Sequence, residues 1–406
     1  MSGVPKTGIR ERAAALWARP RVAFLASTVI HVALVAAIVF WAGADTIHGR
    51  AALSTSPDRI AELYFPSDAG SYLYGALDLV RNGAVTAEWQ WVLNLWPPGM
   101  VWLNATIIEF SPLPYGVTMG ILTALLWGVT LAVVTRPFLA RPRIALIALV
   151  VELLVLATPP FQTWMLDEAI LFSDGIAGAA LLLGLALITT RALDGGAVPL
   201  WVRDGILSGI AIAIAVYFRA SNNLIPIVIG AVAVVLAVVV VVTRLRRGVW
   251  RRDLLRHTAL LGIAVLSAVV LFAPYAALTL KRHDRLQFVA TQDLVYEHAW
   301  QDPERDEIGL TYLVAGFTVG CDLDAERGRE LAEQDPPPTG DELRDALIAT
   351  ILENPGPWAA QRVEVVVRQW FRHDFDTVTR LDSQADDGRG EGPLSLNENV
   401  PAGLAY

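Results

Sequence analysis

Residues 231–242 read AVAVVLAVVVVV, a run composed only of Ala, Val and Leu. The apolar stretch around this run extends over 223–243, and about 20 apolar residues suffice for a helix to cross a bilayer. β-Branched residues lower helix propensity in water, but a backbone surrounded by lipid must satisfy its own hydrogen bonds, which a helix does within one segment. The stretch therefore predicts a transmembrane helix.

Further apolar stretches of this kind precede and follow it. They lie at 22–42, 115–134, 144–159, 172–190, 205–218 and 258–280. The sequence therefore predicts an all-α polytopic membrane protein with about seven transmembrane helices in a module at 22–280. The first stretch could alternatively be a cleaved signal peptide, but its apolar run is longer than a typical signal core, which favours an uncleaved anchor.

The composition agrees with a membrane protein whose two parts differ in charge. Of the 406 residues, 54% are hydrophobic and 18% are charged, whereas soluble domains carry about 25% charged residues. Residues 1–280 have a net charge of +5 and residues 281–406 a net charge of −13. The acidic balance makes nucleic acid an unfavourable partner. The single cysteine, Cys321, excludes an intramolecular disulfide.

The distribution of basic residues predicts the orientation, because cytoplasmic loops are enriched in Lys and Arg. With seven spans, 16 basic residues fall on one side, in 1–21, 135–143, 191–204 and 244–257. Only Arg50, Arg59, Arg81 and Arg219 precede residue 281 on the other side. We therefore predict a plasma-membrane protein with a cytoplasmic N-terminal tail (1–21). The first outer loop (43–114) and the acidic C-terminal region (281–406) are then extracytoplasmic.

The two outer regions have predicted helices of their own. A helix is expected from Ser67 or Asp68 to about Arg81, ended by Asn82-Gly83. Residues 97–110 are apolar but too few to span, and they predict an interfacial helix next to several tryptophans. The C-terminal region is expected to mix irregular segments with helices near 322–333 and 341–372.

Polar residues at the outer ends of the spans are the candidates for chemistry. Asp68 fits a helix N-cap and could also act as a general base. Three carboxylates, Asp167, Glu168 and Asp174, lie at the mouth of a membrane helix. They are either solvated loop residues or ligands of a divalent cation. Arg219 either snorkels to lipid headgroups or binds a phosphate. His31, in the first span, is expected to be packed rather than catalytic.

Together these residues resemble the C-type (GT-C) membrane glycosyltransferases, such as the aminoarabinose transferase and the protein O-mannosyltransferases. Asp68 with Tyr72 is similar to the acidic position after the first span, although Ala69 replaces a second acid common in the family. Trp96-Pro97-Pro98-Gly99 is similar to the family's Pro-Pro motif but lacks its preceding Lys or His. Asp167-Glu168 and Arg219, with the nearby Asn222, resemble the later outer segments.

The resemblance implies an inverting glycosyltransferase that uses a polyprenyl-phosphate sugar as donor and an extracytoplasmic acceptor. Asp68 would be the catalytic residue. The remaining positions would bind substrate: Tyr72, Trp96, Pro97, Pro98, Asp167, Glu168, Arg219 and Asn222. No cofactor is certain, but a divalent cation held by Asp167 and Glu168 would also fit, because metal use varies across the family.

Two other functions are compatible with the same sequence. A secondary transporter would usually carry inverted repeats and charges near the membrane midplane; Glu152 is an acid inside a predicted span, but no repeat is present. A non-catalytic scaffold of the cell envelope would depend on 281–406 rather than on Asp68. Solute uptake into proteoliposomes would identify the transporter.

The predicted orientation can be tested by cysteine labelling. We expect single cysteines at Ser54 and Ser395, in a Cys321→Ser background, to react equally with an impermeant reagent applied from outside intact cells. The reason is that seven spans place 43–114 and 281–406 on the same side. Opposite accessibility of the two positions would contradict the topology.

Overall fold

The structure is a computed structural model, and it describes residues 20–42, 56–64, 68–139, 142–156, 173–219, 222, 224–247, 252–283, 299–300 and 319–371. These residues are almost entirely helical, and none of them is in a strand. The chain divides into two compact units. The first contains residues up to Leu93 and Pro97–Leu278, and the second contains Asn94–Trp96 and the chain from Thr279.

The helices of the first unit are numbered in chain order. They are α1 (Pro20–Ala37, continued by a π-turn at Ile38–Ala42), α2 (Pro57–Tyr64), α3 (Asp68–Asn82), α4 (Gln90–Leu95), α5 (Gly99–Phe110), α6 (Tyr115–Thr135), α7 (Pro142–Leu156), α8 (Ser173–Asp194), α9 (Val198–Phe218), α10 (Leu224–Arg247) and α11 (Arg252–His283). The ends of α4 and α11 extend into the second unit.

Six of these helices, α1, α6, α8, α9, α10 and α11, are long and apolar enough to cross a membrane, so the chain is a multi-pass membrane protein. Four of the predicted spans are shorter than the helices in the structure. Helices α8, α9, α10 and α11 each extend several residues further than predicted at their basic ends. The predicted span 144–159 coincides with α7, which has only 15 residues, and its last residues lie outside the described part of the chain. Helix α5 is too short to span, as predicted for 97–110.

Side-chain contacts fix the directions of the helices. The hydroxyls of Ser27 on α1 and Thr135 on α6 are 3.4 Å apart, and Gly128 packs on Val32, so these two helices are antiparallel. Arg136, directly after α6, pairs with Asp194 at the end of α8, so α6 and α8 run in the same direction. The connection 139–172 therefore returns from one end of the bundle to the other.

A hairpin of α8 and α9 forms the centre of the bundle. Near its turn, buried Arg191 donates through Nε to Asp204 at 2.7 Å, and Arg203 donates to the other carboxylate oxygen. Arg191 also donates to the carbonyl of Gly195 in the turn itself. Because both charges are paired and hydrogen-bonded, this ion pair can be buried without leaving an uncompensated charge.

Helix α11 runs parallel to α9 on its other side. The Trp201 and His257 rings meet edge-on near the start of both helices, and Tyr217 donates to the carbonyl of Leu271 near the other end. Between these points, Gly209 lies directly against the α11 backbone. Close approach of backbones at small residues is the usual way in which membrane helices gain van der Waals contact, since lipid provides no hydrophobic force between them.

The second unit contains α12 (Val319–Leu323), α13 (Ala325–Ala332), α14 (Gly340–Glu353) and α15 (Pro355–Phe371). Its core contains Trp300, whose ring nitrogen donates to the carbonyl of Leu343 at 3.0 Å. The helix predicted at 341–372 is in fact two helices, because Asn354 ends the first and Pro355 begins the second. Thr339 and Glu342 form a capping box that fixes the start of α14.

We expect Gly209→Ala to destabilise the bundle by about 1–3 kcal/mol, the usual cost of overpacking. A Cβ at this position would lie 2.4 Å from the Ala264 carbonyl oxygen. Gly262→Ala is the matched control, because a Cβ there meets nothing within 4 Å and alanine favours a helix. Thermal unfolding in detergent measures both, and equal melting temperatures for the two variants would contradict the packing.

Candidate functional site

The N-terminus of α3 presents the first sequence-predicted site residues. Asp68 is the first residue of the helix and is exposed, whereas Tyr72, one turn later, is buried. The helix follows the predicted bounds closely, and Gly83 ends it with a φ of 70°, which glycine adopts without strain. The spacing of four residues places the carboxylate and the phenol on the same face of α3.

Tyr72 connects α3 to the start of α8. Its side chain is hydrogen-bonded to that of Ser173, the first residue of α8. Burial raises the pKa of Tyr72 above its ordinary value of 10.0, and the nearby Asp68 carboxylate raises it further. The hydrogen bond to Ser173 and the charge of Arg219 act in the opposite direction but do not cancel this effect. Tyr72 is therefore a neutral phenol at physiological pH.

Arg219 lies at the same end of the bundle, directly after α9. Its guanidinium forms an ion pair with Asp174, the second residue of α8. The Arg219 side chain is 50% exposed and that of Asp174 is 26% exposed. The pair therefore differs from Arg191–Asp204 at the opposite end of the hairpin, where the side chains are 2% exposed or less. Arg219 is thus neither isolated nor enclosed.

The Pro97-Pro98 motif directly precedes a glycine that packs on the end of α9. Both prolines are buried, and Pro98 immediately precedes α5. The following Gly99 lies so close to the carbonyl of Tyr217 that a Cβ would be 2.4 Å from its oxygen. The start of α5 therefore contacts α9 at Tyr217, which is two positions before Arg219 in the chain.

Asn222 completes the turn after α9. Its backbone N–H donates to the carbonyl of Arg219, and its side-chain amide donates to that of Ala215, both near 3.0 Å. Asn222 therefore caps the last turn of α9, because its amide adds a second hydrogen bond to the Ala215 carbonyl, which also accepts from the Arg219 N–H. Its position next to Arg219 follows from this capping role.

Three of the predicted site residues remain, namely Trp96, Asp167 and Glu168. Trp96 belongs to the second compact unit. Asp167 and Glu168 lie outside the described residues, and so does the cation site predicted for them. Within the described ranges, no group of three or more His, Cys, Asp or Glu side chains could hold a metal ion.

The structure adds Ser173 and Asp174 to the residues that the sequence predicts for the site; in the sequence, Asp174 is a third carboxylate after Asp167 and Glu168. The signal was present in the sequence, since Ser-Asp before an apolar run is typical of a helix N-terminus. Sequence alone could not show that this terminus faces Tyr72 and Arg219, because those residues lie about 100 and 45 positions away along the chain.

Comparison with known proteins adds no assignment: no family model, no curated protein and no solved structure matches this chain.

The raised pKa of Tyr72 predicts a pH-dependent contribution to stability. The folded state holds the phenolic proton more tightly than the unfolded state, so this contribution is complete below about pH 10 and is lost as the pH rises further. We expect the difference in melting temperature between wild type and Tyr72→Phe to stay constant from about pH 8 to pH 10 and to shrink as the pH rises above about 10. Asp68→Asn removes the carboxylate that raises the Tyr72 pKa. In this variant Tyr72 should therefore ionise, and its contribution to stability should be lost, at a lower pH than in wild type. A difference that stays constant with pH would contradict this assignment.

Proposed function

We propose that this chain is a membrane glycosyltransferase of the GT-C type, which transfers a sugar from a polyprenyl-phosphate donor to an extracytoplasmic acceptor. The observation that carries the proposal is the convergence of three separate segments at one end of the bundle. Asp68 and Tyr72 lie on α3, Asp174 starts α8, and Arg219 follows α9. Such a transfer can use a carboxylate to accept a proton and a guanidinium to stabilise the leaving phosphate.

Each group has a defined part in the proposed reaction. The acceptor oxygen or nitrogen attacks the anomeric carbon, and the bond from that carbon to the donor phosphate oxygen breaks. Asp68, exposed at the start of α3, accepts the proton that the acceptor loses. The leaving phosphate gains negative charge, which Arg219 stabilises. The buried Tyr72, tied to Ser173, positions α3 and hence Asp68 relative to α8.

The energetics of the Arg219–Asp174 pair allow a phosphate to take part. Ion pairs between exposed side chains contribute about 0–1 kcal/mol, because water screens them. A charge-assisted contact between arginine and phosphate contributes about 1.5–3 kcal/mol. A bound phosphate can therefore recruit the Arg219 guanidinium, which at 50% exposure is accessible at the bundle end. A divalent cation held by Asp167 and Glu168 would supply further positive charge.

Orientation and span number belong to the same proposal. Because α6 and α8 are parallel, the chain between them must cross the bundle, and α7 with the residues after it provides the seventh span. At 1.5 Å per residue α7 is about 22 Å long, so roughly five more residues would complete a 30 Å crossing. Arg136, Arg191 and Arg203 then face the cytoplasm of a plasma-membrane protein, and Arg219, the acceptor site and the acidic C-terminal region face outside.

We expect Arg219→Ala to lower transfer from a synthetic polyprenyl-phosphate sugar by roughly 10- to 150-fold, the factor that corresponds to losing one arginine–phosphate contact. Arg219→Lys keeps the charge without the planar fork and should retain part of the activity. Purified variants in lipid nanodiscs provide the measurement.

Two matched variants separate phosphate binding from a structural ion pair. Asp174→Asn removes the partner but keeps Arg219, so it should retain donor use if Arg219 binds phosphate and lose it if the pair merely holds α8 against α9. Arg81→Ala removes another exposed Arg–Asp pair, with Asp58, and should leave transfer unchanged. Near-wild-type rates for Arg219→Ala would exclude Arg219 from the site. An absence of transfer by the wild type with any polyprenyl-phosphate sugar would contradict the proposed function.

A further inference from the structure

A polar contact joins α1 and α7 inside the apolar bundle, away from the proposed site. His31 lies midway along α1 and is 2% exposed, and its Nε2 is 2.7 Å from the Oε2 atom of Glu152 on α7. The Glu152 side chain is 14% exposed. Ionisable groups within membrane helices are costly, and they commonly mark ion or proton sites.

The hydrogen-bond geometry determines how many protons the pair holds. His31 Nδ1 is 2.7 Å from the backbone carbonyl of Ser27, and a carbonyl oxygen can only accept, so Nδ1 carries a hydrogen. A neutral imidazole protonated at Nδ1 has only a lone pair at Nε2. A carboxylate opposite it would place two acceptors 2.7 Å apart, which is repulsive. The observed contact therefore requires one further proton, on Nε2 or on Oε2, and the pair is then neutral overall.

In the part of the chain that the structure describes, no other charged group is found in contact with Glu152. The remaining polar neighbours of His31 are the hydroxyl of Ser27 and, beyond it, that of Thr135 on α6. Thr135 also donates to the α6 backbone. Arg136, the next residue on α6, is paired with Asp194. Among the described residues, His31 is thus the titratable group that contacts Glu152, and the shared proton is what neutralises the carboxylate.

Helix α7 buries little of its own surface in the bundle. Most of its apolar side chains are exposed, including Leu146, Ile147 and Leu154. In lipid such side chains gain little by packing on a neighbouring helix, because lipid tails are equally apolar. The hydrogen bond between buried His31 and the partly buried Glu152 is therefore a principal attachment of α7 to α1.

We infer that His31 and Glu152 form a proton-binding site within the bundle, and that the bound proton holds α7 against α1. Loss of the proton leaves an uncompensated carboxylate facing a lone pair, so the two helices separate there. The inference does not rest on the proposed transferase activity.

Glu152→Gln provides a direct test, because the glutamine amide can donate to His31 Nε2 without any additional proton. We expect amide hydrogen exchange of 142–156, measured by mass spectrometry in lipid nanodiscs, to be equal in wild type and Glu152→Gln at about pH 6. At about pH 9 the wild type should exchange at least about tenfold faster than the variant. Comparison at the same pH cancels the intrinsic pH dependence of exchange.

The controls keep every outcome informative. His31→Ala should lose protection of 142–156 at both pH values, and Glu109→Gln, at an exposed position on α5, should behave as the wild type. Exchange in α9 serves as an internal standard for folding. Identical pH responses of wild type and Glu152→Gln would overturn the inference, and so would a Glu152→Gln protein that is unprotected or unfolded at pH 6.

Discussion

The satisfaction of backbone hydrogen bonds in a medium without water is the constraint on which the rest of this structure depends. It requires helices wherever the chain crosses the bilayer, and it removes the hydrophobic force that packs helices in water. The bundle is therefore held by close backbone approach and by polar contacts. Gly209 against the α11 backbone is an example of the first, and Arg191 with Asp204 is an example of the second.

The two ends of the α8–α9 hairpin use the same chemistry for different purposes. At the turn, Asp204 is enclosed and bound by two arginines, so its charge is fully committed to holding the hairpin closed. At the other end, Arg219 and Asp174 are partly exposed and form a single pair that water screens. A committed pair suits a structural role, whereas a screened pair can exchange its partner for a ligand. This contrast, more than the presence of arginine, supports a role for Arg219 in binding.

Polar groups in the middle of the bundle follow a third pattern. His31 and Glu152 are neither paired with fixed opposite charges, as Asp204 is, nor screened by water, as Arg219 is. Their neutrality depends on a proton, which is the one ligand small enough to enter between two packed helices. The proposed transferase site and this pair are at different depths, and the residues that connect them along the chain are those that follow α7.

The sequence by itself determined the membrane class and placed six of the seven predicted spans on long helices. It also determined the helix at 68–82 and the short helix after Pro97-Pro98, because apolar length and turn residues act locally. It also identified Asp68, Tyr72 and Arg219 as candidates from their positions at span ends. Only the tertiary structure decided that Ser173 and Asp174 join them, that Asn222 caps α9, and that His31 meets Glu152. It also divided the predicted helix 341–372 at Pro355. Contacts between residues many positions apart depend on how helices pack and on which ends meet, and in lipid neither is encoded by an apolar pattern, because every apolar face is equally compatible with the solvent around it.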